Sequence, residues 1–197
     1  MSKTVDFYFD FGSPAAYLAW TQLPQLCADT GAQLVWKPVL LGGVFQATGN
    51  RAPMTVPIKG SYLFVDLARF ARRYGVPLKF NPSFPINTLT LMRAAVGLQM
   101  RQAPRFEDYC AAMFRAIWVD GQNMNDPAVV AAELSRAGFD SQALLALSSD
   151  PAVKDELKAA TEAAVQRGVF GAPTFFVADQ MFWGQDRLDF VREALAN

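Results

Sequence analysis

The chain opens on an apolar-rich run, Val5-Asp6-Phe7-Tyr8-Phe9-Asp10-Phe11, which breaks at Gly12-Ser13-Pro14. Its aromatic and β-branched content predicts a strand over about residues 4 to 10. From Pro14 the apolar positions take helical spacing, at Tyr17, Leu18, Leu23, Leu26 and Cys27, and Gly31 closes the pattern. Pro24 inside this segment predicts a kink or a break. Gln33 to Val39 alternates and reads as a second strand, limited by Pro38. Residues 4 to 39 therefore predict a βαβ unit with parallel pairing. Residues 40 to 60 hold Gly42-Gly43, Gly49-Asn50-Arg51, Pro53 and Pro57, and predict a long loop with room for one helical turn. A helix follows over about 59 to 74, stopped by Gly75-Val76-Pro77.

From Asn87 to about Gly168 the pattern is helical throughout. Asn87 can cap a helix reaching about Gln102, and Pro104 starts another that runs through Trp118. Asp126-Pro127 and Asp150-Pro151 each pair an N-cap with proline at the first helical position. The last helix of this stretch runs to about Gln166. The chain then returns to strand: Thr174 to Ala178 and Met181 to Trp183, around Asp179-Gln180, predict an antiparallel hairpin. A final helix spans about 186 to 196. The order is βαβ, helices, ββα.

Composition narrows the function classes. Hydrophobic residues make up 52% of the 197, enough for a folded core in one domain or in a small domain with a large insertion. The formal net charge of +0 argues against a nucleic-acid or acidic-membrane partner held by bulk electrostatics. There is no basic-then-apolar leader and no apolar run near the ~20 residues a spanning helix needs, so a soluble, cytoplasmic protein is expected. Cys27 and Cys110 form no Cys-x-x-Cys pair and read as buried thiols in a reducing compartment, with no disulfide and no metal site. Histidine is absent, which removes His-based triads and most zinc and haem sites. It also excludes a kinase reading of Asp10-Phe11-Gly12, which needs a His-Arg-Asp loop.

Two short segments remain as candidate chemistry. Ser13 stands at a helix start beside a strand tip, where amides and the helix dipole favour an anion. Ser-Pro at a helix start also fits an ordinary N-cap. Gly171-Ala172-Pro173-Thr174 precedes a strand. In thioredoxin-like proteins a cis proline holds this place in the order, and the residue before it offers its backbone to an extended peptide. The Ala172–Pro173 bond is therefore expected to be cis. The topology as a whole is that of a thioredoxin-like α/β fold carrying an all-helical insertion. The expected division is 1–58 with 169–197 for the thioredoxin-like part and 59–168 for the insertion.

Asp10-Phe11-Gly12-Ser13-Pro14, Gly49-Asn50-Arg51, Phe84-Pro85-Ile86-Asn87-Thr88, Gly171-Ala172-Pro173-Thr174 and Phe182-Trp183-Gly184-Gln185-Asp186-Arg187-Leu188 together resemble the 2-hydroxychromene-2-carboxylate isomerases. These are related to the kappa-class glutathione transferases and, more distantly, to DsbA-type oxidoreductases. The resemblance implies glutathione as cofactor, an aromatic carboxylate substrate and a homodimer. It implies that Ser13 activates the thiol, that Ala172 and Pro173 pair with the tripeptide backbone, and that Asn50, Lys59, Gln185, Asp186 and Arg187 meet the rest of it. Asp186 suits the γ-glutamyl ammonium and Lys59 a carboxylate, though a helix cap and a solvated lysine compete. For the substrate, Lys37 and Arg51 are the available cations and Asn87 a hydrogen-bonding group. Phe11, Phe45, Phe84 and Trp183 can supply an aromatic wall, and ordinary core packing competes for each. A glutathione transferase or peroxidase is the first alternative, and a binding module without catalysis another. A thiol–disulfide oxidoreductase does not fit, because Ser13-Pro14-Ala15-Ala16 lacks both redox sulfurs.

Overall fold

A computed structural model of the chain describes residues 3–196. The terminal residues 1, 2 and 197 of the expected division lie outside the described residues. Strand β1 (Thr4–Phe9) leads into helix α1 (Pro14–Thr30) and strand β2 (Gln33–Pro38), and β1 and β2 pair in parallel. Near the other end, β3 (Thr174–Val177) and β4 (Gln180–Trp183) form an antiparallel hairpin. β3 runs antiparallel to β1, so the four-stranded sheet has the order β2-β1-β3-β4. The order βαβ, helices, ββα expected for a thioredoxin-like fold with a helical insertion is present.

The central strand is buried on both faces. Val5, Phe7 and Phe9 point into the main core, where Phe7 stacks on Phe9 and Phe175 and meets the edge of Trp36. Tyr8 points the other way, into a smaller cluster with Val39, Val44, Ala164 and Phe176. The helices between the two halves are α2 (Leu41–Thr48), α3 (Pro57–Tyr74), α4 (Leu89–Met100), α5 (Phe106–Trp118), α6 (Pro127–Arg136), α7 (Ser141–Ser149) and α8 (Pro151–Gln166). A 3-10 turn at Gln185–Arg187 enters α9 (Leu188–Ala196). The main core is continuous from the sheet and α1 into α4, α5 and α8. Arg167, just after α8, straps the second face: it pairs with Asp6, donates to Tyr8 Oη (3.1 Å) and the Ala178 carbonyl (2.9 Å), and lies 3.8 Å over Phe176.

Several local expectations need correction. Residues 41–48 are a helix rather than loop. The Gly42-Gly43 pair hid it, because glycine is a poor helix former. Tertiary contacts supply what propensity lacks: the Leu41 N–H donates to the Asp10 carboxylate (2.8 Å) and the Leu40 N–H to Thr161 Oγ1 (3.0 Å). Gly43 also lets α2 lie close on α8, since a Cβ there would come within 3.2 Å of Thr161 Cγ2. Helix α1 runs unbroken through Pro24, which sits on its exposed side while Leu23, Leu26 and Cys27 are buried. The hairpin turns at Ala178-Asp179, one residue earlier than expected, with Ala178 at φ 49°. Pro104 lies in a turn before α5, which begins at Phe106.

Candidate active site

Strand β1 ends at Phe9, and the next four residues build the site. Asp10 is buried, and its carboxylate accepts from the Gly12 N–H (2.8 Å), from Thr88 Oγ1 (2.6 Å) and from the Leu41 N–H (2.8 Å). Its carbonyl accepts from the Ser13 N–H (3.0 Å). Burial pushes the Asp10 pKa up from its ordinary value, and the three hydrogen bonds act against that. One side chain thus fixes the turn before α1, the start of α2 and the start of α4. Sequence reading missed it; the only signal was an ionisable residue at the tip of an apolar strand.

Ser13 is the N-cap of α1, and its Oγ accepts from the Ala16 N–H at 3.1 Å. The same hydroxyl donates to the Ala172 carbonyl at 2.9 Å. The ordinary cap and the contact with the second candidate segment therefore coexist in one side chain. The Ala172–Pro173 bond is cis, as expected from its place in the order. Phe84–Pro85 is also cis, which sequence reading did not anticipate. The N–H groups of Ala15 and Ala172 take no acceptor among the described residues. Two unpaired amides thus flank a buried hydroxyl at the positive end of a 17-residue helix.

Other expected residues join this centre in part. Asn50 Nδ2 donates to the Phe170 carbonyl (2.8 Å), so Asn50 ties the segment after α2 to the loop that carries Ala172. The Gly184 N–H donates to the Pro173 carbonyl (3.0 Å), and the Gln185–Arg187 turn starts one residue later. Gln185 is buried and its carbonyl accepts from Tyr74 Oη (3.0 Å). Asp186 and Arg187 are exposed and pair with each other. Gln185 and Asp186 line a hollow of about 410 Å³ with Gln22, Tyr74 and Asp189. Lys59 is exposed in the first turn of α3, and Arg51 is exposed after Asn50.

The expected substrate contacts are more scattered. Asn87 is exposed; its Oδ1 accepts from the Leu89 N–H (3.1 Å) and its own N–H donates to Asn125 Oδ1 (2.8 Å), so it holds the turn just before α4, whose N-cap is Thr88 rather than the expected Asn87. Asn125 also donates to the carbonyls of Ser83 and Pro85, which anchors the loop before α4. Lys37 lines a different hollow, with Tyr8, Gln99 and Glu156. Phe11 cannot act as a wall: it is fully buried, with its ring on Phe114 and Tyr109 and its carbonyl accepting from Trp118 Nε1 (2.7 Å). Phe84 packs toward Phe64, Phe80 and Trp118. Trp183 is 49% exposed and rests on Phe170 and on Gly171, where a Cβ would meet its Nε1 at 2.7 Å. Cys27 and Cys110 are free and buried, away from this centre, and burial pushes both thiols up.

A strand, a capped helix with serine at its mouth and a cis proline facing it define a thioredoxin-type site from which the redox sulfurs are missing. The chain belongs to the DSBA-like thioredoxin domain family, which it matches over residues 4–196. It is 38% identical to the 2-hydroxychromene-2-carboxylate isomerase of Sphingobium xenophagum, over 99% of each chain. A solved 2-hydroxychromene-2-carboxylate isomerase superposes with a TM-score of 0.85 at 34% identity, covering 98% of this chain and 94% of the other. Human glutathione S-transferase kappa 1 is 27% identical over 99% of this chain and 92% of its own length. The motif resemblance and the whole-chain similarity thus agree.

Proposed function

We propose that this protein is a glutathione-dependent isomerase that converts 2-hydroxychromene-2-carboxylate to trans-o-hydroxybenzylidenepyruvate. The observation that carries the reading is the Ser13 hydroxyl, bonded to the carbonyl before the cis proline and flanked by the unpaired amides of Ala15 and Ala172. When bound, glutathione supplies a thiolate that adds to an unsaturated carbon of the substrate and leaves again, so no thiol is consumed. The protein's own part is to hold that sulfur ionised and in place. Ala172 has an unpaired N–H and a carbonyl bonded only to a hydroxyl rotor, which suits pairing with an extended peptide. Once a peptide N–H takes that carbonyl, Ser13 Oγ is free to turn its proton to the sulfur. The Ala15 N–H and the helix dipole favour the same charge.

Magnitudes support this. Lowering a thiol pKa from about 8.5 to about 6.5 needs roughly 2.7 kcal/mol in favour of the thiolate. A hydrogen bond to a charged group contributes about 1.5–3 kcal/mol, and a helix N-terminus about 0.3–1, up to ~2 when partly buried. No histidine base is needed. Serine also has no sulfur with which to trap the cofactor as a mixed disulfide. Asn50, Lys59, Gln185, Asp186 and Arg187 are assigned to the rest of the tripeptide, with Asp186 taking the ammonium and Lys59 a carboxylate. Lys37 and Arg51 are assigned to the substrate carboxylate and Asn87 to a hydroxyl.

The direct test is conversion of 2-hydroxychromene-2-carboxylate by the purified protein. It should require glutathione and leave total free thiol unchanged. Ser13→Ala is expected to abolish the ultraviolet thiolate absorbance of bound glutathione and to lower turnover by about 10²-fold or more. Turnover like the wild type in that variant would overturn the role of Ser13. The similarity to the human kappa transferase favours one second reading, a glutathione transferase or peroxidase, which would instead consume free thiol as product forms. We propose a role in naphthalene-type aromatic degradation, which an aromatic carboxylate such as the one in its relatives' names suits. A homodimer suits the exposed apolar stripe Ile58, Tyr62 and Val65 on α3. A cytoplasmic location suits the two free thiols.

A further inference from the structure

A cavity of about 450 Å³ lies between α2, α4 and α8, within the range of about 300–1,000 Å³ typical of small-molecule sites. Neither Ser13 nor any residue assigned above to glutathione or its substrate lines it. Its apolar walls are Leu40, Leu89, Leu157 and Val165. Its charged groups are Arg93, Lys154, Lys158 and Glu162, three positive and one negative. Lys158 stands 3.9 Å from Glu162, a long pair in the open part of α8. Lys154 has no ion pair among the described residues.

Arg93 is the unusual member. Its Nε is buried without a hydrogen-bond partner, and its guanidinium makes no hydrogen bond or ion pair among the described residues. Elsewhere in the molecule Arg105, Arg136 and Arg167 each engage a carboxylate. A buried donor without an acceptor costs stability, so this arginine at a cavity wall is better suited to a ligand than to the free fold. The planar fork of arginine suits a carboxylate, and a single such group beside three leucines and a valine suits a ligand whose remainder is apolar.

We propose that this cavity binds an aryl carboxylate, with the carboxylate on the Arg93 guanidinium and the rings between the leucine and valine walls. Lys154 at the cavity wall adds a general pull on anions without fixing their orientation. The site needs neither the thiol nor Ser13, so it goes beyond the activity proposed above. Phosphate fits less well, since a compact dianion would leave the leucine and valine walls uncovered.

The test is calorimetric titration of the full chain with 2-naphthoate, in the absence of glutathione. One binding event is expected. Arg93→Gln should weaken it by at least about tenfold, and the uncharged 2-naphthamide should bind the wild type at least about tenfold more weakly. Ser13→Ala and Arg51→Gln should each leave that affinity unchanged, since neither side chain lines the cavity. Because Arg93 holds no internal bond and its buried Nε has no acceptor, Arg93→Gln is expected to keep the wild-type circular dichroism and to melt no lower than the wild type. A second variant, Ala47→Trp, fills the cavity from an exposed position of α2 and should also abolish binding. Absence of 2-naphthoate binding to the wild type would overturn the proposal. So would equal affinity in Arg93→Gln, or loss of binding in Ser13→Ala or Arg51→Gln, which would put the probe in the site proposed above for glutathione and its substrate.

Discussion

Asp10 shows how much one buried carboxyl can organise. Its partners lie 2, 31 and 78 residues away, so three distant segments meet on two oxygens. The same burial has a cost that depends on pH. Because desolvation raises the folded-state pKa above the ordinary 3.8, the group's contribution to stability is complete below that value. It is lost as pH rises through the folded value. Asp10→Asn removes this titration, so the stability of the wild type relative to Asp10→Asn should fall as pH rises from about 4, measured by urea midpoints. A rise in that relative stability with pH would contradict the assignment. Thr88→Val removes a hydrogen bond that holds the pKa down, so the Asp10 carboxyl should titrate at higher pH in that variant, read from its carbon NMR shift. Ser13 was legible in the sequence because its signal is local, a strand followed at once by Gly-Ser-Pro. Asp10 was not, because nothing near it in the chain reveals partners so far away.

At the scale of elements, legibility again follows the range of the causes. α6 and α8 announce themselves by Asp-Pro, and the carboxylates of Asp126 and Asp150 do accept from Ala128 N–H (2.8 Å) and Ala152 N–H (2.9 Å). Asp150→Ala should therefore cost about 1 kcal/mol, within ~0.5–2, in equilibrium unfolding. α2 announces nothing. Its first amides are held by Asp10 and Thr161, and Gly43 is explained by the close approach of α8, so these reasons for the helix lie outside it. The Gly171–Thr174 segment falls between these cases. Its proline geometry was inferred from its place in the topology, while its partner Ser13 is 159 residues away. The scattered positions of Lys37, Arg51 and Asn87 follow from side chains whose surroundings no local pattern encodes.

For the molecule as a whole, the insertion is a matter of chain order more than of separate cores. Trp118, at the end of α5, is fully buried and donates to the Phe11 carbonyl beside the site. Trp118→Phe leaves that acceptor unpaired and should cost about 1–3 kcal/mol for the lost bond alone. Unfolding should still proceed in one transition, seen alike by fluorescence and far-ultraviolet circular dichroism, since the apolar cluster runs from sheet to insertion without a gap. Two separated transitions would show that the halves melt independently.

Both sulfhydryls lie beneath that shared cluster, where desolvation suppresses their ionised forms, while an alcohol stands at the mouth of α1. The native fold should consequently be chemically silent toward iodoacetamide. Mass spectrometry should detect no carbamidomethyl group on the intact protein and two after denaturation. On the function proposed above, a fold built in this way keeps its own thiols out of reach of the electrophile it handles.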